Sequence, residues 1–549
     1  MINQDRIDQI PDLKKIADYL HYYADTSPET EALILQNNGN STRINYRQFN
    51  QLVNQYAKAL IAAGIEKGDR VAVLCTPHPD YFITFLACSS IGAIWMGLNP
   101  KYQIDEYRYV LKDAKPKLIF SRRQIGERNF QQELEIFQLE NTDLENIILL
   151  DDCVDVSSEK TNYISSSDFL AIGQAISDEE LSLCYEKVAP EDPTLLVYTS
   201  GSTGNPKGAL IHQLGLTKVA RVQNGYWNVD PVRIINFLPV NHIGCVGDIS
   251  MYCFVAGGTQ VFMEDFEPDI FNRLMQDEKI TIWGGVPTSV QMSAEHENFS
   301  HYDLSSLQMI IWSGAAASDS LIQKLLTICP RLSNSYGQTE SVGSICFAGP
   351  TDNIDELANT VGAPVPCYNV RIVDEQGKTV EVGKSGELQV QGDFIMAGYL
   401  NQPEKTAETI DDEGWLKTGD LGLLREDGNV TLIGRLKEMF KSGGYNVYPR
   451  EIEQVIEEFS GVAVVAVVSI PDDLFGEVGV AYIQVTEKTD IDLTELKAWC
   501  KKKMVNFKVP KQFILLDTLP LLPIGKVDKK TLLKLALNSS INPEQQSVQ

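Results

Sequence analysis

The stretch TLLVYTSGSTGNPKG, residues 194–208, joins an unbroken apolar run to a loop of glycines, hydroxyl side chains, one proline and one lysine. The apolar run predicts a buried strand that ends where the glycines begin. Glycines let successive backbone N–H groups point toward one centre, while the hydroxyls and Lys207 add donors and positive charge. The spacing differs from that of the common P-loop. By itself the stretch favours phosphate binding only modestly over a mobile surface loop.

Similar apolar runs alternate with helical patterns through the first 430 residues. Strands that are apolar throughout need cover on both faces, so the alternation predicts an α/β fold with layered sheets. After about residue 360, alternating residues and glycine-bearing turns predict a β-rich subdomain of antiparallel hairpins. The predicted strands are RVAVLC (70–75), KLIFS (117–121), NIILLD (146–151), TLLVYT (194–199), RIINFLPV (233–240), TQVFM (259–263), ITIWGG (280–285) and MIIWSG (309–314).

The sequence predicts two domains of unequal size. A large N-terminal domain with several subdomains covers residues 1–434, and a small α+β C-terminal domain covers residues 435–549. The small domain shows the order helix (452–459), strand (462–470), strand (478–486), helix (493–504) and strand (513–516).

Composition limits the partners and the compartment. The net charge of −27 over 549 residues disfavours nucleic acid and anionic membranes as partners, so bound phosphate needs a local site. The ten cysteines form no CxxC pair and the six histidines do not cluster beside them. This pattern argues against structural zinc and disulfides and favours reduced thiols in the cytoplasm. The N-terminus lacks the apolar core of a signal peptide.

One segment, YFITFLACSSIGAIWMGL at 81–98, has no charged side chain and is long enough to raise the question of a membrane span. Its serines, threonine and glycines favour a buried helix followed by a core strand. We therefore predict no membrane span.

Five motifs in a fixed order make the sequence resemble the adenylate-forming superfamily, which includes acyl-CoA synthetases, adenylation domains of peptide synthetases and firefly luciferase. The resemblance covers roughly residues 20–535. The motifs are YTSGSTGNPKG (198–208), NSYGQTE (334–340), GWLKTGDLG (414–422), GRLKEMFKSGGYNVYPREIE (434–453) and LPLLPIGKVDKK (519–530).

The resemblance implies ATP as the substrate that activates a carboxylic acid. Thr339 is expected to bind a phosphate, Glu340 to hold Mg²⁺, and Asp420 to accept hydrogen bonds from the ribose, with Arg435 assisting. The residues expected around the phosphates and the adenine are Thr199, Ser200, Gly201, Ser202, Thr203, Gly204, Lys207, Gly314, Ala315, Ala316, Asn334, Ser335, Tyr336 and Gly337.

The same resemblance implies that the small domain rotates about a hinge near Lys437 between two half-reactions. Lys526 would serve acyl-adenylate formation, and a face containing Lys441, Gly443, Gly444 and Asn446 would serve attack by the thiol of coenzyme A. Taken singly, these residues have ordinary structural explanations. Asp420 could cap a turn, Tyr336 could be a core aromatic, and Lys526 could be a solvated loop lysine. Their joint fit to one nucleotide favours function.

LPVNHIGCVGD (238–248) occupies the position of the acyl-site motif in the resembling enzymes. His242 matches a residue that gates or lines the carboxylate pocket, although Asn241 replaces the aromatic common before it. No Phe-Asp pair is present to bind an amino group, so a plain carboxylic acid, such as a fatty acid, is favoured over an amino acid. Trp283, Trp312 and Cys245 either line this pocket or pack in the core.

Several alternatives stay open at this stage. The acceptor is coenzyme A or a separate acyl-carrier protein, because no attached carrier domain is evident. A luciferase-like oxygenase or an inactive nucleotide-binding module would use the same fold. The sequence predicts neither the length of the acid nor the oligomeric state.

Overall fold

The computed structural model describes residues 2–37, 40–151, 163–199, 205–485, 491–522 and 526–541. Within these ranges the chain forms two large mixed sheets, a smaller antiparallel sheet, a C-terminal sheet and a short hairpin of Gln124–Ile125 and Arg128–Asn129. The α/β fold class predicted from the alternating pattern is confirmed, and all the predicted strands form. The run predicted at 233–240 is shorter, Arg233–Asn236; beyond it, the Leu238 N–H donates to the Asn236 side chain at 3.3 Å and not to a neighbouring strand.

The first large sheet has a parallel centre and antiparallel edges, as expected for a sheet covered by helices. The strands that later carry the nucleotide motif lie near one of its edges. In spatial order its strands are Ala363–Pro364, Gly343–Thr351, Leu332–Gln338, Met309–Ser313, Ile282–Gly285, Arg233–Asn236, Thr259–Phe262, Glu31–Asn37 and Asn40–Asn45.

The second large sheet is also parallel at its centre, and the apolar run of the opening motif pairs there with the strand Ile94–Leu98. The lysine end of the same motif begins the neighbouring antiparallel strand. In spatial order its strands are Gly398–Tyr399, Lys207–His212, Pro193–Thr199, Ile94–Leu98, Arg70–Leu74, Leu118–Ser121, Asn146–Leu149 and Tyr163–Ser165.

The charge-free segment at 81–98 is the helix Pro79–Ile91 followed by the strand Ile94–Leu98. Almost every residue of this helix is buried, in one apolar cluster with residues of both large sheets. A helix that is apolar all round belongs in such a core. Among the described residues, no helix is long and apolar enough to cross a bilayer.

Helices pack against the sheets, and several of them connect parallel strands. They are Gln4–Gln9, Ile16–Thr26, Tyr46–Ala62, Pro79–Ile91, Ile104–Ala114, Gln131–Glu140, Ser166–Ile172, Asp178–Glu186, Gln213–Trp227, the π-helix Gly244–Met251, Tyr252–Val255, Pro268–Asp277, Pro287–Glu295, Asp319–Ile328, Ile354–Asn359, Pro403–Thr409, Pro449–Glu457, Leu493–Lys503 and Lys529–Ile541, with 3₁₀ turns at Gly173–Ala175, Phe299–His301, Thr339–Ser341 and Leu436–Glu438.

The chain passes from one sheet to another between Arg435 and Phe440. The antiparallel sheet before this point has the strands Asn369–Val373, Ser385–Gln391, Leu416–Leu424 and Val430–Arg435. The sheet after it has the strands Tyr445–Val447, Phe440–Ser442, Gly476–Val485, Val462–Asp472 and Gln512–Leu516. The domain division at residues 434 and 435 remains a prediction.

Candidate active site

Three predicted nucleotide residues meet on neighbouring elements. The hydroxyl of Tyr336, on the strand Leu332–Gln338, donates a hydrogen bond of 2.6 Å to Oδ2 of Asp420. Arg435 Nε lies 3.0 Å from Oδ1 of the same carboxylate, and the strands of Asp420 and Arg435 pair side by side. Both carboxylate oxygens therefore have partners, which fixes the orientation of Asp420 and of the Tyr336 ring.

The electrostatics of this group follow from burial and pairing. Burial raises the pKa of Asp420, and the Arg435 guanidinium opposes that rise. Asp420 in turn raises the pKa of Arg435. Burial, together with the nearby Asp420 charge, holds the pKa of Tyr336 well above its ordinary value, so its hydroxyl stays a donor.

The other residues of the adenine motif are largely structural. The Asn334 side-chain amide donates to the carbonyls of Leu357 and Thr360, at 2.7 and 3.0 Å, and so anchors the segment at 357–360. Ser335 offers its carbonyl to the Ser313 hydroxyl at 2.9 Å. Gly337 is required by packing, because a Cβ there would lie 1.9 Å from the Gly343 carbonyl oxygen. A nucleotide-binding role for Asn334, Ser335 and Gly337 stays a prediction.

On the phosphate side, Thr199 and Lys207 face each other across the two strands that flank the loop. The predicted phosphate ligands Ser200, Gly201, Ser202, Thr203 and Gly204 lie outside the described residues. The flanks of the loop are anchored to the helix Ile104–Ala114. The Tyr109 hydroxyl donates to the Pro206 carbonyl at 2.9 Å, and the Tyr198 hydroxyl donates to Asp113 at 2.7 Å.

Lys207 and Glu340 meet around Tyr399. The Lys207 Nζ lies 3.9 Å from the centroid of the Tyr399 ring, and the Tyr399 hydroxyl donates to Glu340 Oε1 at 2.7 Å. Thr339 and Glu340 form a buried 3₁₀ turn directly after the Tyr336 strand. Burial lowers the pKa of Lys207, and the Glu340 carboxylate opposes that effect. Sequence reasoning did not identify Tyr399, since its strand has only two residues and no periodic pattern.

Glu340 fits the role of a magnesium ligand. Mg²⁺ takes one or two carboxylates and completes its shell with phosphate and water, so one carboxylate beside the phosphate loop suffices. The hydrogen bond from Tyr399 engages only Oε1 and orients the group. No set of three or more His, Cys, Asp or Glu side chains that could hold a metal occurs in the part of the chain that the structure describes.

Lys526 enters this site from the C-terminal segment. Gly314 has φ of +86°, which favours glycine, and a Cβ built there would lie 2.8 Å from Lys526 Cε, so the end of the lysine packs directly against this backbone. Burial lowers the pKa of Lys526, the nearby Arg435 lowers it further, and Asp420 opposes them. Ala315 and Ala316 follow Gly314 on an exposed turn.

The predicted hinge residue and the residues predicted to face the thiol lie on two short turns. Lys437 lies on the 3₁₀ turn Leu436–Glu438, close enough to Lys207 to lower its pKa. Lys441 and Asn446 pair across a hairpin whose turn is Gly443 and Gly444, with φ of +59° and +86°. This hairpin is tied to the small domain by a hydrogen bond of 2.8 Å from the Gly443 N–H to the Phe475 carbonyl, and its turn is exposed.

On the acyl side, His242 precedes the π-helix Gly244–Met251. Its Nδ1 accepts a hydrogen bond of 3.0 Å from the Gly244 N–H, and burial, with a smaller effect from Lys526, lowers its pKa to about 3. His242 is therefore neutral at physiological pH. The Asn241 amide donates to the Tyr102 hydroxyl at 3.2 Å, which gives this polar replacement of an aromatic residue a local partner.

The aromatic candidates for the acyl wall are core residues. Trp283 and Trp312 belong to an apolar cluster on the outer side of the first sheet. Cys245 is fully buried beside Tyr81, with its Sγ 3.5 Å from the hydroxyl oxygen. Of the two interpretations left open for the tryptophans, core packing is the one the structure supports.

Comparisons with known proteins identify the family of this chain. The family model for AMP-binding enzymes matches residues 20–400, and that for the AMP-binding enzyme C-terminal domain matches residues 451–526. The indoleacetate–CoA ligase of Aromatoleum aromaticum is 32% identical over 489 residues, which cover 88% of this chain and 92% of that protein. Feruloyl-CoA synthase of an Amycolatopsis species is 30% identical over 498 residues, covering 89% and 93%.

Among solved structures, ATP-bound MatB from Rhodopseudomonas palustris superposes with a TM-score of 0.82 at 25% identity, covering 94% of this chain and 98% of that one. These matches confirm the enzyme class predicted from the motifs, an AMP-forming acid–CoA ligase. The chain belongs to the AMP-binding enzyme family, within its acyl-CoA synthetase branch.

Proposed function

We propose that this ligase joins a small carboxylic acid to coenzyme A in two half-reactions. The first, which forms the acyl-adenylate, uses Lys207, Glu340, Asp420 and Lys526. The second, which forms the thioester, uses the hairpin at 441–446. The position of Lys526 carries the proposal. It lies against Gly314, within electrostatic reach of both Asp420 in the nucleotide group and His242 on the acyl side.

In the first half-reaction, a carboxylate oxygen of the acid attacks the α-phosphorus of ATP, and the bond from that phosphorus to the β-phosphate oxygen breaks. Two anions approach each other, so positive charge is needed where the transition state is most negative. Lys526 would supply it between acid and nucleotide, and Lys207 would supply it at the leaving pyrophosphate. Glu340 would hold the Mg²⁺ that accompanies ATP and adds positive charge at the phosphates.

In the second half-reaction, the thiol sulfur of coenzyme A attacks the acyl carbonyl, the bond to AMP breaks and the thiol proton is released. We propose that the small domain turns about Lys437 to present the Gly443–Gly444 turn. The exposure of that turn and its attachment to its own domain support this role, because a few residues can absorb such a rotation.

A pyrophosphate-release assay tests the proposal with aliphatic, aromatic and amino acids, each with and without coenzyme A. We expect release that depends on the acid, limited to about one turnover without coenzyme A and continuous with it. Release that is independent of every acid, or no AMP formation with any of them, would contradict the proposal. Magnesium dependence and a fatty acid as substrate remain predictions, which assays of the purified enzyme can test. A cytoplasmic location also remains a prediction, which localisation of the protein in cells can test.

A further inference from the structure

One partly buried carboxylate on the acyl side has no part in the mechanism above. Asp248 lies on the π-helix Gly244–Met251, which begins two residues after His242. The π-helix packs against both the helix Gln213–Trp227 and the strand Gly343–Thr351. The Asp248 carboxylate lies where the π-helix meets this helix and this strand.

The side-chain hydrogen bonds to Asp248 reach only one of its carboxylate oxygens, Oδ1. The Gln223 amide donates to Oδ1 at 2.8 Å, and the Ser344 hydroxyl donates to the same Oδ1 at 3.3 Å. A Cβ on Gly343 would lie 2.8 Å from Oδ1, so the glycine leaves room for the carboxylate. The Ser344 backbone N–H also lies near enough to hydrogen-bond the carboxylate, and within the described ranges no side chain donates to Oδ2. Asp248 stays partly accessible although both of its neighbours on the helix are buried, so part of its side chain is not covered by the protein.

Among the described residues, no cationic side chain pairs with this carboxylate. Burial raises the pKa of Asp248 to about 6, and the groups that lower it again are Gln223 and Ser344, which are neutral. The titratable neighbour that feels its charge is Tyr368, whose own pKa is raised well above normal mainly by burial. Gln223 also has a buried Oε1 without a hydrogen-bond partner among the described residues. Buried charges in proteins are usually paired, so this arrangement lacks a partner.

The location puts the missing partner on the acyl substrate. Gly343 and Ser344 pair across the sheet with Gln338 and Gly337, directly after Tyr336 of the nucleotide group. The acid must present its carboxylate toward ATP, near Lys526 and His242. We therefore place its other end along the π-helix that follows His242, on which Asp248 lies.

We propose that Asp248 accepts a hydrogen bond from a donor group, a hydroxyl or an ammonium, on the acyl part of the substrate. This inference rests on the proposed function and narrows its substrate class to acids that carry such a donor. An alkyl acid of the same shape would shield the Asp248 carboxylate from water without donating a hydrogen bond to it. Sites built to hydrogen-bond a substrate group reject analogues that lack it by large factors.

The test uses matched triplets of acids of several lengths that differ only in a terminal methyl, hydroxyl or ammonium group. Pyrophosphate release gives kcat/KM for the wild type and for Asp248→Asn and Asp248→Leu. We expect the wild type to prefer a donor-bearing acid at least tenfold, mainly through KM. Asp248→Leu should reverse the preference toward methyl, and Asp248→Asn should lose any preference for ammonium but keep one for hydroxyl.

Ser344→Ala is the matched control, because it removes one donor to Oδ1 but leaves the carboxylate, so the donor preference should persist. Equal use of methyl and donor acids by the wild type, or an unchanged preference in Asp248→Leu, would overturn the inference. If Asp248→Leu fails to fold, the wild-type triplets and Asp248→Asn still decide. Release with none of the acids would instead count against the proposed function, so the two failures are distinguishable.

Discussion

The nucleotide side and the acyl side of the site differ in how their charges are compensated. On the nucleotide side, Asp420 is paired with Arg435 and Tyr336, and Glu340 accepts from Tyr399. On the acyl side, His242 is held neutral, and no cationic side chain in the part of the chain that the structure describes pairs with Asp248. In the half that we assign to ATP, the protein's own side chains pair with both carboxylates. In the half that we assign to the acid, we propose that the substrate supplies the partner of Asp248.

Lys526→Ala should produce the largest effect, since Lys526 is the group that spans both sides. Removal of one preorganised electrostatic group from a transition state costs about 10²–10³-fold in kcat. We expect that loss in acyl-adenylate formation, measured by acid-dependent pyrophosphate release. Thioester formation from preformed acyl-adenylate should remain largely intact, as measured by acyl-CoA appearance in a single turnover.

Lys534→Ala is the matched control, because Lys534 is exposed on the helix that follows Lys526. It should behave like the wild type in both assays. An equal loss in the two half-reactions of Lys526→Ala would contradict the division of roles.

Asp420→Asn should weaken ATP binding without affecting the acyl side. The substitution keeps the shape of the side chain but removes the charge that pairs with Arg435 and accepts from Tyr336. Hydrogen bonds to a charged group contribute about 1.5–3 kcal/mol, so we expect the Kd for ATP to rise roughly 10- to 100-fold. Calorimetric titration measures it, with Tyr336→Phe as a milder companion. An unchanged Kd in Asp420→Asn would remove this carboxylate from the nucleotide site.

Lys437→Pro should impair the thiol step about tenfold while affecting adenylation less. Proline fixes φ and would restrict the rotation proposed at the turn Leu436–Glu438. Lys437→Ala is the control, since it removes the same charge near Lys207 but leaves the backbone free. Single-turnover thioester formation separates the two variants. If Lys437→Pro and Lys437→Ala behave alike in that assay, Lys437 is not the hinge.

The same comparison shows what sequence can reveal. The strands were predictable because their apolar runs are continuous, and the Tyr336–Asp420 pair was reachable through motifs although 84 residues separate the two. The Tyr399–Glu340 hydrogen bond spans 59 residues and depends on a two-residue strand that no pattern marks. The environment of Asp248 could not be predicted from the sequence either. Its described side-chain partners, Gln223 and Ser344, come from a helix and a strand that are distant in sequence from the π-helix.

The smallest predicted effect is on stability and comes from Asp248→Asn in the absence of substrate. Burial raises the pKa of Asp248 to about 6, above the value near 4 of an unfolded chain. The folded wild type therefore favours the protonated form and loses stability as pH rises from about 4 to 6. Asparagine carries no charge to bury, so the variant should be the more stable protein at pH 8, by on the order of 1 kcal/mol, with a smaller difference at pH 5.

Denaturant unfolding of both proteins at the two pH values measures this difference. Gln223 should contribute to the higher stability of Asp248→Asn. Its buried Oε1 has no partner among the described residues, so it can accept a hydrogen bond from the new asparagine amide. A variant that is less stable at pH 8 would mean that the carboxylate already has a cationic partner in the folded protein. A saturating donor-bearing acid should then reverse the order, because only the ionised wild type gains a charge-assisted hydrogen bond from it.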